Sequence, residues 1–189
     1  MFFLIDFCAA LGYSYYQAAF AGNFKTAHRK GVDFLSGYCA VKPAPADIVI
    51  TTNGGYPLDQ NAYQCPKGMS AAEATVNDGG VIIMLATCQD GHGGESYYHS
   101  IADAESADAF FQQCLHTPQV ETLPDQWCAQ IWCRIVRKYK VLFVADKAQE
   151  QLIRDLKVEY FETLDEAYAR ARELKGPDAT LTCIPNGVS

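Results

Sequence analysis

The sequence predicts an α/β fold: a doubly wound, mostly parallel, Rossmann-like sheet with helices on both faces, preceded by a partial strand-helix element. Three observations predict it. Short apolar runs, DIVITT (47–52), GGVIIMLA (79–86), KYKVLFVA (138–145) and TLTCIP (180–185), recur with helical patterns between them, and KVEYF (157–161) is a further candidate. Apolar residues at consecutive positions mark strands buried on both sides, which is the condition of a parallel sheet between helical layers. The segment VKPAPAD (41–47) puts two prolines within four residues, which ends a helix and marks a boundary. The expected division is therefore a partial N-terminal element over residues 1–46 and an α/β domain over 47–189.

In the first element, FFLIDF (2–7) and SYYQAAF (14–20) are rich in aromatic and β-branched residues and read as strands separated by a break at Gly12. Asn23 is a permitted N-cap, and from it Phe24, Ala27, Gly31, Phe34 and Tyr38 fall on one face of a helix. In the second element, Ser70 with Glu73 and Thr163 with Glu166 have capping-box spacing, and Gly176 stands where a helix-terminating glycine is expected.

Composition excludes several classes of function. Lys and Arg number 15 against 22 Asp and Glu, a net charge of −7, so no broad attraction to nucleic acid or anionic lipid is built in. The apolar runs fall short of the ~18 residues a membrane span needs. The greasy start MFFLIDFCAALG lacks the basic residues of a secretory signal and contains Asp6, so it reads as structure. Eight cysteines are scattered without a C-x-x-C pair, which predicts reduced thiols and a cytoplasmic protein.

Ligands of such sheets bind beyond the carboxyl ends of the strands, so the loops there are the candidates. After DIVITT, Gly54 and Gly55 permit positive φ and close approach of backbone to a ligand; the alternative is a plain tight turn. A helix capped by Asp59 would follow, with Gln60, Tyr63, Gln64 and Lys67 on one face and a kink between Gln64 and Lys67 caused by Pro66. Amide, phenol and ammonium on one face suit a carboxylate or hydroxyl ligand, although such a face is more often simply solvated.

In the helix PDQWCAQIWCRIVRKY (124–139), Cys128, Ile131, Trp132 and Ile135 form the apolar stripe and Trp127 lies off it. Trp127 therefore packs on a loop, covers a ligand or meets another domain, whereas Trp132 is the core tryptophan. The loop CQDGHGGES (88–96) carries His92 and could receive an anion at its helix terminus. No nucleotide-binding glycine motif, no G-x-S-x-G elbow and no His/Cys/carboxylate set at metal spacing is present, so no metal ligand is expected in this chain.

The run NGGYPLDQNAYQCPKGMSAAEATVNDGGVIIMLATCQDGHGGE (53–95), with DQW at 125–127 and AGNFKTAHRKGV at 21–32, resembles the nickel-dependent lactate racemase family over nearly the whole chain. The resemblance is to its C-terminal domain with the last strands and helix of its N-terminal half. It implies a 2-hydroxy acid racemase or epimerase that works by hydride transfer to a nickel-pincer nucleotide. It also implies that the lysine tethering that cofactor, the nickel-binding histidine and the acid/base histidines belong to an N-terminal catalytic domain whose motifs are not found here. No cofactor is then expected to be held by this chain alone, which would be an inactive fragment prone to self-association through its N-terminal element.

Carried onto this sequence, the resemblance implies Lys67 and Gln64 as catalytic residues, with Lys67 holding the substrate carboxylate or polarising its carbonyl. Tyr63 would be a hydrogen-bond partner and Trp127 an apolar wall, beside the Gly54-Gly55 loop. Pro66 next to Lys67 departs from the family pattern. The alternative reading is a non-catalytic α/β module that binds a small molecule or a partner.

Overall fold

A computed structural model describes residues 3–9, 16–39 and 41–188, and the chain forms two compact units that divide between Pro43 and Ala44. In the first unit β1 (Phe3–Ala9) and β2 (Tyr16–Asn23) pair antiparallel, with Phe3 opposite Asn23. Phe2, the Gly12 break and Ser14 lie outside the described residues. Helix α1 (Phe24–Cys39) begins directly at the end of β2, and Asn23 Oδ1 accepts the amide of Lys25 at 3.1 Å, satisfying one of the first-turn donors. On its expected face Ala27 and Gly31 are buried, and the Phe34 ring lies 5.7 Å from Phe20 and 5.0 Å from Tyr38. Phe24 and Tyr38, near the two ends of that face, are exposed.

The second unit is a five-stranded sheet of β3 (Ala46–Thr52), β4 (Val76–Leu85), β5 (Lys140–Val144), β6 (Glu159–Phe161) and β7 (Leu181–Ile184). Its order is β6-β5-β4-β3-β7 and every neighbouring pair is parallel. The helices are α2 (Cys65–Glu73), α3 (Glu95–Ala102), α4 (Ala107–His116), α5 (Gln126–Lys138), α6 (Glu150–Asp155) and α7 (Leu164–Lys175). From β3 the chain steps outward to β6 with its crossovers on one face, then α7 returns over the other face to set β7 beside β3. Right-handed crossovers require that change of face when the direction of winding reverses.

Both faces are covered, and that explains the unbroken apolar runs. Val49, Ile82, Met84, Val141 and Phe143 pack with Met69, Ala72, Cys128, Trp132 and Ile135, while the alternate residues Ile48, Val81, Ile83 and Leu142 pack with Ala167 and Ala171 of α7. Trp132 is fully buried at the centre of the larger layer, and its indole N–H donates to the Leu156 carbonyl at 2.9 Å, so its one polar atom is satisfied.

At the Thr163–Glu166 cap the Thr163 hydroxyl accepts the amide of Glu166 at 3.3 Å, and Glu166 Oε2 accepts that of Thr163 at 3.2 Å. Two local expectations are corrected. Ser70 caps nothing: it lies inside α2 and donates to the Pro66 carbonyl at 2.7 Å, and the residues after Glu73 turn straight into β4. The helix expected from Asp59 starts instead at Cys65, after a 3-10 turn over Ala62–Gln64. Pro66 therefore sits in the first turn, where its missing N–H has no intrahelical partner to lose, and causes no kink.

Candidate functional site

The site is assembled from the carboxyl end of β3 outward. The residue after β3, Asn53, is fully buried and uses both ends of its amide. Its Nδ2 donates to the carbonyls of Leu58 at 2.8 Å and Gln64 at 2.9 Å, and its Oδ1 accepts the amide of Gly68 at 3.1 Å. One side chain thus ties the glycine loop to the start of α2. Position 68 has to be glycine for this, because a Cβ there would lie 2.5 Å from Asn53 Oδ1.

The 3-10 turn is held from its other side by the loop after β4: the amides of Ala62 and Tyr63 donate to the carbonyls of Gly91 and His92, each at 3.0 Å. Those loop carbonyls are scaffold. His92 itself accepts the amide of Gly94 at Nδ1 and stacks on Tyr98 with ring centroids 5.1 Å apart. Asp59 is likewise structural, since its carboxylate accepts the amide of Thr87 at 3.2 Å instead of capping α2.

On this frame the Tyr63 ring stands edge-on to Tyr97 and Trp127, at centroid distances of 5.4 and 6.2 Å. Its hydroxyl donates to Asp125 Oδ1 at 3.1 Å. Burial first, and the bond to Asp125 second, push the phenol up to about 12, so it is a protonated group at neutral pH. Behind it the Cys128 thiol donates to the Tyr63 carbonyl, and burial raises this thiol to about 12 as well, which leaves it a poor nucleophile.

Gln64 and Lys67 form the adjoining part of the face. Lys67 is exposed, and its Nζ donates to Gln64 Oε1 at 2.7 Å. Gln64 also offers the N–H pair of its amide, beside an ammonium. Trp127 is 56% exposed and Trp132 fully buried, so the two tryptophans divide between surface and core.

Of the residues singled out by sequence, Tyr63 and Trp127 are in contact, and Gln64 and Lys67 are in contact. The glycines stand apart from them. Gly54 and Gly55 have φ of +80° and +88°, and a Cβ on Gly54 would meet the Asn186 side chain at 2.9 Å, which is the tight-turn role. Gly55 lines a cleft of about 320 Å³ with Thr52, Thr87, Asp146 and Glu162, and none of Tyr63, Gln64, Lys67 or Trp127 lines it.

Sequence reasoning missed Asn53 and Asp125. Asn53 stood in plain view beside the glycines, and a polar residue directly after a strand buried on both sides was the available signal. Asp125 stood in the DQW run at 125–127, but its φ of +61° and its bond to a residue 62 positions away exist only in the fold. Among the described residues no three His, Cys, Asp or Glu side chains come together as a metal site, and Cys65, Cys88, Cys114, Cys128, Cys133 and Cys183 are free thiols. Among the same residues no helix is long and apolar enough to cross a membrane.

A family model described as the lactate racemase C-terminal domain matches residues 41–189. The lactate racemase of Lactiplantibacillus plantarum is 48% identical over 170 residues, and that of Thermoanaerobacterium thermosaccharolyticum 46% identical over 171 residues. Each alignment takes in 90% of this chain and 40% of the relative, so the chain spans about 40% of the length of the curated relatives it matches. The solved lactate racemase apoprotein from Thermoanaerobacterium thermosaccharolyticum superposes with a TM-score of 0.89 at 42% identity, over 99% of this chain and 45% of that one.

Proposed function

Because the chain belongs to the lactate racemase C-terminal domain family, we propose that it is the substrate-facing domain of a lactate racemase-like 2-hydroxy acid racemase or epimerase. The observation that carries this reading is the polar face itself: an exposed ammonium, an amide and a phenol on one turn, with Trp127 against the phenol. Lys67 supplies a charge-assisted hydrogen bond to the substrate carboxylate, and the Gln64 amide adds a second donor beside it. Trp127 provides an apolar wall that excludes water from one side of the bound acid.

The resemblance implies a nickel-pincer nucleotide, which would supply the hydride chemistry when bound, and among the described residues no three His, Cys, Asp or Glu side chains come together to hold a metal. The work assigned to this chain is accordingly binding and orientation of the acid, with the redox step belonging to an N-terminal catalytic domain.

A chimaera tests the reading. This chain replaces the matched segment of the Lactiplantibacillus plantarum lactate racemase, and interconversion of d- and l-lactate is followed by polarimetry. A charge-assisted bond of about 1.5–3 kcal/mol corresponds to a loss of roughly 10- to 100-fold in turnover efficiency for Lys67→Ala. Full activity of the Lys67→Ala chimaera would leave the polar face a solvated surface and favour a module without catalytic duty.

A further inference from the structure

We propose that the cleft at the carboxyl ends of β3, β4, β5 and β6 is a binding site for a small organic cation with a guanidinium head. The cleft measures about 320 Å³, and its walls carry three carboxylates, Asp59, Asp146 and Glu162, with no lysine or arginine beside them. Its floor is sheet: Leu85 and Val144 are the paired last residues of β4 and β5, and the Ala145 amide continues the ladder to the Phe161 carbonyl at 3.2 Å. Space beyond the carboxyl ends of parallel strands is where sheets of this kind take their ligands.

Asp59 is the residue that points to an occupant. At 6% exposure it is the one buried acidic or basic side chain among the described residues. Its Oδ2 accepts the amide of Thr87 at 3.2 Å, whereas its Oδ1 has no hydrogen-bond partner. A buried carboxylate oxygen without a donor is costly, and a protonated nitrogen entering the cleft offsets that cost. Asp146 and Glu162 are exposed at the rim, and Lys147, the basic residue next to Asp146, is engaged by Glu150. Three negative charges around one opening, in a chain of net charge −7, repel an anion and attract a cation.

The spacing of the acids selects the kind of cation. Among the described residues no three His, Cys, Asp or Glu side chains come together at metal spacing, so a bare metal ion does not engage all three carboxylates at once. A guanidinium is planar and spreads five N–H donors in a fixed fork, which suits acceptors placed around it and not at one point. One edge meets Asp59 at depth, and the remaining donors turn to the rim.

The test titrates the chain with butylguanidinium and with butylurea, a neutral molecule of nearly the same shape, and follows backbone amide signals by NMR. The Thr87 amide, bonded to Asp59, is the direct reporter. Butylguanidinium should bind about 10-fold more tightly than butylurea, the margin of charge-assisted over neutral hydrogen bonds. Asp59→Asn keeps an acceptor for Thr87 and removes the charge, and should weaken butylguanidinium about 10-fold. Asp146→Asn combined with Glu162→Gln changes only exposed positions and should weaken it about 3- to 10-fold; if Asp59→Asn does not fold, this pair decides alone. Lys67→Ala should bind as the unaltered chain does, because Lys67 does not line the cleft.

Equal binding of the two probes, or a Thr87 signal that moves with neither, overturns the proposal. An equal loss from Glu121→Gln, at an exposed acid outside the cleft, would reduce the binding to the general attraction of an acidic chain and overturns it too. Displacement of butylguanidinium by an equal concentration of Mg2+ would make the cleft a metal site and overturn the choice of ligand.

Discussion

Asn53 Oδ1 accepts the amide of Gly68 at 3.1 Å while its Nδ2 holds the Gln64 carbonyl at 2.9 Å, so one buried amide fixes the backbone on both sides of Lys67. The polar face is aimed from below, by a residue that never reaches its surface.

Asn53→Ala should therefore be among the more costly single changes in the molecule. It leaves the amide of Gly68 and the carbonyls of Leu58 and Gln64 without this partner, and an orphaned buried group costs about 1–3 kcal/mol. A loss of at least ~2 kcal/mol is expected in denaturant unfolding, with faster hydrogen exchange at Gly68. An unchanged midpoint would show that the three groups find other partners.

The two tryptophans should respond oppositely. Trp132→Ala removes a fully buried side chain and strands the Leu156 carbonyl, and is expected to cost about 3–5 kcal/mol. Trp127→Ala gives up chiefly its edge contact with Tyr63, about 0.5–1.5 kcal/mol. Comparable losses from the two would place Trp127 in the core as well.

Thr163 caps α7, the helix that packs on β3, β4, β5 and β6 from one face of the sheet. Thr163→Ala should lower stability by about 0.5–2 kcal/mol, and Thr163→Ser should recover most of it, since serine presents the same acceptor. Thermal unfolding of both variants decides this. Equal melting temperatures for Ala and Ser would mean that the hydroxyl contributes nothing.

Asp47 makes the stability of the sheet pH-dependent. Its carboxylate accepts bonds from Asn77 Nδ2 at 3.0 Å and from the Thr180 amide and hydroxyl at 3.0 and 2.8 Å, joining the starts of β3, β4 and β7. These bonds, that of Asn77 foremost, lower its pKa from 3.8 to about 2. The folded value lies below the unfolded one, so the stabilisation is present above pH 3.8 and is lost as pH falls through about 2. Asp47→Asn should lower the melting temperature at pH 7 and make little difference at pH 2; an equal deficit at both would point to lost packing instead.

The sequence by itself determined the sheet and its layers. Ile48 to Ile50, Val81 to Met84 and Val141 to Phe143 are apolar without alternation because parallel strands are covered on both faces, and that requirement is written residue by residue. It determined the Thr163 cap, which is complete within four residues, and the separation of Trp127 from the stripe that buries Trp132. What it could not determine were the ends of elements whose local signals compete. Asp59 and Ser70 both have good capping chemistry, but the amide of Thr87 takes the first and the Pro66 carbonyl takes the second.

Only the tertiary structure decided what the polar face is made of. Gln64 and Lys67 meet through local spacing, and the helical period was enough to pair them. Asp125 meets Tyr63 across 62 residues because α5 packs beside α2 on the same face of the sheet, and Asn53 meets Gly68 because α2 crosses back over the strand end that precedes it. Local periodicity records which side of an element is buried, not what it is buried against. The direction of a single proton, from Tyr63 to Asp125, depends on the latter.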